Sequence, residues 1–497
     1  FSLHLDGASI STSGAGPILL EGTGIHSGSN FSAGVGIEGG TTIESTSQAA
    51  TAGAVSIVGI GADGTQSKHG LISRDAGNSL TSAYGNISIN GVGGFRSDGN
   101  GAVYFGIYLS GLDIASTGTG PDAAKIFIDG VGGDEVTTCY GVRLASGNVS
   151  ISSIDGDINI VGRGGEASNT SRQTGVLIED VAFIRSTGTG SDAANLSING
   201  TVGTATAPQT SALASYGVQL TGASTELSTI DGDITIIGSG GDGGVYRHGV
   251  NIDATVSSTG TGSEAGNISV NGQGGTTADG WGAFISGSWS TVDGDINITG
   301  AGTSSPTRGG EGVRLRDIDL FASSGDGPDA GNISITGSAE NRLAVLLENS
   351  TGVLSTVDGD ITLSDSDESG ILVDGFGGFA STGTGEHAGK ITIAEKSVSI
   401  QNLGTGISSV DGDIFIASQA DEVSGTGLAL INFGFIESTG TGPDAATITL
   451  IGTASDGASF RHGLSVSGST SQYAVIRSVD GDISVSYTHL RAHETND

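Results

Sequence analysis

The chain has 497 residues, 90 of them Gly, about 18% and well over twice the usual share. Charged residues make up 14%, aromatics 5%, and acidic residues outnumber basic ones 53 to 18, for a net charge of −35. That charge repels phosphate backbones and anionic bilayers, which excludes nucleic-acid binding, and no apolar run approaches the ~20 residues of a membrane span. The single Cys139 has no partner for an internal disulfide, and a cysteine-poor chain fits an exported protein. Met is absent, position 1 included, so the chain is expected to be a processed or truncated piece.

In chain order, one short strand recurs. Its inward positions read Ile87/Ile89, Ile126/Ile128, Ile158/Ile160, Leu196/Ile198, Ile234/Ile236, Ile268/Val270 and onward to Ile448/Leu450. The residue between is mostly Ser, Thr or Asn; Phe127 and Phe415 interrupt that polar column. Period-two alternation of this kind is a strand with one buried face. A second strand, opened by Gly, precedes it, as in Gly141-Val142-Arg143-Leu144 and Gly249-Val250-Asn251-Ile252. A shorter apolar point lies between the two, at Ile114, Ile184, Leu227, Leu354 and Ile436.

Two motifs lead into the Ile-x-Ile strand and strictly alternate. One reads Ser-Thr-Gly-Thr-Gly-x-Asp/Glu-Ala and starts at Ser116, Ser186, Ser258, Ser381 and Ser438, with a variant at Ser323. The other, Val/Ile-Asp-Gly-Asp-Ile, has its first Asp at Asp155, Asp231, Asp293, Asp358, Asp411 and Asp480. They read as a long and a short corner at one position, Asp-Gly suiting the tighter turn. Asp155 and Asp480 are 325 residues apart over ten motif intervals, so each unit spans ~33 residues. Such a unit cannot bury its apolar face alone and must stack. The fold expected is all-β, a single-stranded parallel β-solenoid (β-helix) of about 15 rungs, a rod of roughly 70 Å at ~4.8 Å per rung. Residues 1–485 are expected to form one continuous domain, truncated at both ends.

The arrays Gly-Asn-Ile-Ser-Ile-x-Gly and Val-Asp-Gly-Asp-Ile-x-Ile-x-Gly resemble bacterial extracellular β-strand-repeat proteins. These are filamentous-haemagglutinin-like adhesins, autotransporter passengers and giant surface proteins of environmental bacteria. The resemblance covers Gly53 to Val485 and implies secretion or cell-surface display with an adhesive or structural role. Val485–Thr495 resembles a different thing, the translation of a transposase-type sequencing adapter, so residues 486–497 are expected to be a non-native tail of a metagenomic fragment.

The acidic corners invite a Ca²⁺ reading, since hard oxygen donors suit that ion. The candidate ligands are Asp155, Asp157, Asp231, Asp233, Asp293, Asp295, Asp358, Asp360, Asp411 and Asp413. Against it, copies recur only on every second rung, whereas calcium nonapeptides run in tandem, so a structural corner is favoured and no other cofactor is expected. An enzyme of the β-helix polysaccharide lyase or hydrolase kind needs a local carboxylate cluster with Lys or Arg in one groove. Here the Asp pair is repeated at every short corner, and Arg143, Arg314, Arg316 and Arg342 show no convergent spacing. An ice-binding face needs a Thr ladder that the mixed outward column lacks. Lys68-His69-Gly70, Arg247-His248-Gly249 and Arg461-His462-Gly463 each precede an apolar strand and read as solvated loop ends rather than as an exposed basic spot for acidic glycans.

The column just before the inward Ile runs Asn86, Lys125, Asp157, Asn195, Asp233, Asn267, Asp295, Asn332, Asp360, Lys390, Asp413, and Asp never follows Asp. Asn86, Lys125, Asn195, Asn267, Asn332 and Lys390 are therefore expected to separate and hydrogen-bond the carboxylates. The reading reached is a non-enzymatic, secreted or surface-displayed bacterial segment facing a host, matrix or glycan surface. It inserts into no membrane, and its open strand edges favour end-to-end self-association.

Overall fold

The computed structural model describes residues 1–25, 31–64, 67–95, 103–134, 138–145, 148–166, 172–180, 183–204, 214–243, 246–276, 279–303, 310–340, 342–367, 369–419, 427–432, 434–454, 462–468 and 474–489. Two compact units make up the chain: Phe1–Gly260 with Glu264–Ala283, and Thr261–Ser263 with Phe284–Asp497. Among the described residues both are built of parallel strands with no α-helix, and each is a parallel β-solenoid.

In the first unit the Ile-x-Ile strand occurs eight times, from Ile18–Thr23 to Ile268–Gln273, always in register. Ile87, Ile126, Ile158, Leu196, Ile234 and Ile268 stack as Cα partners. The facing wall stacks Val35, Leu71, Ile107, Val142, Val176, Val218 and Val250. The short strand before the corner stacks Ile43, Leu80, Ile114, Ile151 and Ile184. Each of these stacked side chains is buried, so the core is three aliphatic columns. The second unit repeats the plan with seven Ile-x-Ile strands, Ile296–Ala301 to Ile483–His489. In it Trp289 and Phe321, both buried, stack with ring centroids 5.9 Å apart.

The Gly following each Ile-x-Ile-x is forced by the cross-section. A Cβ on Gly200 would fall inside the van der Waals radius of the Gly217 carbonyl oxygen on the facing wall. The same overlap recurs at Gly91 with Gly106, Gly130 with Gly141, and Gly300 with Gly312. The two walls converge there until backbone touches backbone, and a side chain on either wall would hold them apart. Much of the Gly excess is this seam.

The last strand, Ile483–His489, pairs with Ile448–Ala454 in register through Ala454 and His489, so Ser486–His489 continue the sheet. Its Ile483, Val485 and Tyr487 are 46%, 48% and 65% exposed. Residues 490–497 of the expected tail lie outside the described residues.

Candidate functional site

The short corners tie neighbouring rungs together through backbone. The first Asp of each pair accepts, at Oδ2, the N–H of the second Gly in the preceding long corner. The pairs are Gly120 to Asp155, Gly190 to Asp231, Gly262 to Asp293 and Gly327 to Asp358, each 2.6 Å, and Gly385 to Asp411 at 2.8 Å. That Gly sits at positive φ, +76° at Gly190, which an L side chain rarely adopts. The other oxygen of Asp155, Asp231, Asp293, Asp358 and Asp411 lies where a Cβ on the first Gly of the following long corner would stand. Both glycines of Thr-Gly-Thr-Gly are thus fixed by the Asp beside them.

The second Asp turns the other way, to the next rung. Asp157 Oδ1 accepts the Asn195 N–H at 3.2 Å, Asp233 the Asn267 N–H at 2.8 Å, and Asp295 the Asn332 N–H at 2.8 Å. Asp360 and Asp413 accept from the N–H groups of Lys390 and Thr447 at 2.8 and 2.9 Å. The residues between continue the chain of bonds. Asn86 Oδ1 accepts the Lys125 N–H, Asn195 Oδ1 the Asp233 N–H, and Asn332 Oδ1 the Asp360 N–H, at 2.8–2.9 Å. Asn195, Asn267 and Asn332 also donate Nδ2 to the Asp below, and Lys125 Nζ reaches Asp157 Oδ2 at 2.7 Å. Among the described residues no three His, Cys, Asp or Glu side chains gather as a metal-binding group.

Two of the three basic segments, Lys68-His69-Gly70 and Arg247-His248-Gly249, are not solvated ends. Lys68, His69, Arg247 and His248 are all buried, inside the strands Lys68–Ser73 and Arg247–Ser258. Arg247 donates to Gln173 Oε1 at 2.7 Å and to the Gly203 carbonyl. His69 Nδ1 accepts the Phe105 N–H at 3.0 Å, and His248 Nδ1 the Trp281 N–H at 3.1 Å. Burial pulls His69 down to about 3, with Arg74 and Lys68 adding to it, and His248 down to about 4. Their rings belong to stacks: Phe31, His69, Phe105 and Tyr140 in one, Tyr216, His248 and Trp281 in the other. Arg143 lies over Phe105, Tyr108 and Tyr140 and pairs with Glu179. Neighbours therefore cover ring faces in this column. His462 is exposed, and Arg461 lies outside the described residues. Cys139 is buried, accepts the Gly165 N–H at 3.2 Å, and is pushed up to about 12 by burial.

Sequence reading missed a break in the seam. In the second unit the Gly column runs Gly300, Gly337, Asp365, Glu395, Ser418, Gly452. Asp365 is 9% exposed; its oxygens accept the N–H groups of Asp367 at 2.8 Å and Gly370 at 2.5 Å. Its own N–H donates to Glu395 Oε1 at 2.9 Å. Burial raises the Asp365 carboxyl, and its hydrogen bond with the Asp367 side chain raises it further. A cleft of about 310 Å³ opens beside Glu395 and Lys396. The legible signal is the missing Gly itself, in Leu363-Ser364-Asp365 and Ile393-Ala394-Glu395. Comparison with protein families and with curated proteins returned no match to this chain.

Proposed function

We propose that this chain is a non-enzymatic segment of a secreted or surface-displayed bacterial protein, a stiff acidic β-solenoid serving as stalk, matrix or adhesive element. One observation carries the reading: at the five short corners from Asp155 to Asp411, both Asp residues accept main-chain N–H groups of adjacent rungs. Carboxylates bound in this way at each of these five corners act as scaffold. The partner surface would be a host, matrix or glycan layer, and the resemblance to bacterial surface repeats supports that placement.

A second reading, a carbohydrate-active β-helix enzyme, is favoured at one place. Asp365, Asp367, Glu395 and Lys396 form a non-repeated cluster of the kind a hydrolase or lyase uses. Against catalysis, both oxygens of Asp365 already hold backbone, and the residue faces the seam.

The test pairs two assays on the purified chain. Beads coated with it are applied to mucin-, fibronectin- and chitin-coated surfaces, and soluble chain is incubated with pectin, alginate, cellulose and chitin. Adhesion to a coated surface with no reducing ends or unsaturated uronates released is expected. Product formation overturns the reading.

A further inference from the structure

The strands at the break in the seam also differ from the two rungs before them on their outward face. Ile391–Glu395, Ile414–Gln419 and Ile448–Ala454 pair so that Thr392, Phe415 and Thr449 lie side by side, followed by Ala394, Ala417 and Ile451. On the two preceding rungs the same positions carry Ser334 and Thr362, then Thr336 and Ser364. Polar positions have turned apolar, and one of them is aromatic. Phe415, Ala417 and Gln419 alternate along one strand and face outward together. The cleft takes in Glu395, Lys396, Ala417, Gln419, Ile451 and Thr453.

We propose that this face is a binding site for a neutral glycan chain; the proposal rests on the adhesive reading above and gives it a ligand class. A pyranose ring offers an apolar C–H face and a rim of hydroxyls. Ala417 and Ile451 supply the apolar floor of the cleft, Phe415 extends that face along the same strand outside it, and Gln419, Thr453 and Glu395 supply donors and acceptors beside it. From Phe415 to Gln419 is four residues along a strand, ~13 Å, which suits several linked rings rather than one. The cleft lies at the lower end of the ~300–1,000 Å³ range of small-molecule sites. Charge selects among sugars: Glu395 and Lys396 are the charged groups of the cleft lining and cancel, so the site offers no net positive charge to hold uronates or sialic acids, and the chain's net charge of −35 disfavours them further.

The experiment is saturation-transfer NMR of the purified chain with cellotriose, maltotriose and N,N′-diacetylchitobiose, and with trigalacturonate as charged comparator. Transfer to at least one neutral sugar and none to trigalacturonate is expected. Phe415→Ala and Gln419→Ala each weaken that binding at least tenfold. Phe127→Ala, at the other outward aromatic of this column and 39% exposed, leaves it unchanged. Far-UV circular dichroism confirms that the variants fold. No transfer to any neutral sugar, preference for trigalacturonate, or binding that survives both unit-two variants overturns the proposal. Beads that still adhere to a protein-coated surface then leave the adhesive reading standing, whereas release of sugar products overturns both.

Discussion

Acidifying from pH 7 to pH 5 should loosen the first unit through two histidines. His69 and His248 are buried and each uses Nδ1 to accept a main-chain N–H from the next rung. Protonating Nδ1 removes the acceptor, and burial opposes the charge, so the folded values fall to about 3 and about 4. The unfolded chain titrates these groups near ~6.5. Between the two values only the unfolded chain binds the proton. Stability is therefore complete above the unfolded value and declines as pH falls toward the folded ones. At pH 5 the solution is ~1.5 units below the unfolded value, so each His costs about 2 kcal/mol. Hydrogen exchange at the Phe105 and Trp281 amides, corrected for intrinsic rate, reads this locally. Roughly 30-fold faster exchange at pH 5 than at pH 7 corresponds to that cost. In His69→Asn/His248→Asn the side-chain oxygen still accepts but does not titrate, and the acceleration should vanish. Equal corrected rates at both pH values in the parent protein would refute the reasoning.

Asn332→Asp removes the Nδ2 donor to Asp295 and places a carboxylate between Asp295 and Asp360. At ~4.8 Å the two repulsions in near-bulk solvent, with the lost hydrogen bond, destabilise by about 2–3 kcal/mol at pH 7; equal melting at pH 7 sinks the column model. Gly200→Ala should cost about 3 kcal/mol or more, because the new Cβ meets the Gly217 carbonyl and wedges the seam; wild-type urea unfolding would show that the walls do not converge there. The exposed Ile483, Val485 and Tyr487 on the last strand predict concentration-dependent association in light scattering, and a strict monomer at millimolar concentration contradicts it.

What the sequence showed was everything whose period is short. Ile87-Ser88-Ile89 announces a half-buried strand by itself, and identical copies at one polarity leave parallel stacking as the way to bury them. The Asn and Asp column was legible because its members align once the register of the inward Ile is known. The clamp from Gly190 to Asp231 was not, since its partners are 41 residues apart and belong to different motifs. Lys68 and His69 were misread because local polarity suggested solvent, while both are buried and neighbouring rungs bring Phe31, Tyr104 and Phe105 over His69. The seam is likewise a long-range fact. Gly200 looks like a turn residue until Gly217 is placed against it, and only then do Asp365, Glu395 and Ser418 stand out as departures.

The central claim, that corner carboxylates hold backbone, is tested most directly by melting the parent chain, Asp231→Asn and Asp231→Ala, each in Ca²⁺ and in EGTA. Asn keeps an oxygen for the Gly190 N–H and Ala does not. The account predicts equal melting of the parent in Ca²⁺ and EGTA, Asn close to the parent, and Ala lower by about 1.5–3 kcal/mol in both buffers. A parent that melts higher in Ca²⁺, with that gain abolished in Asp231→Asn, would contradict it and make the corners metal sites.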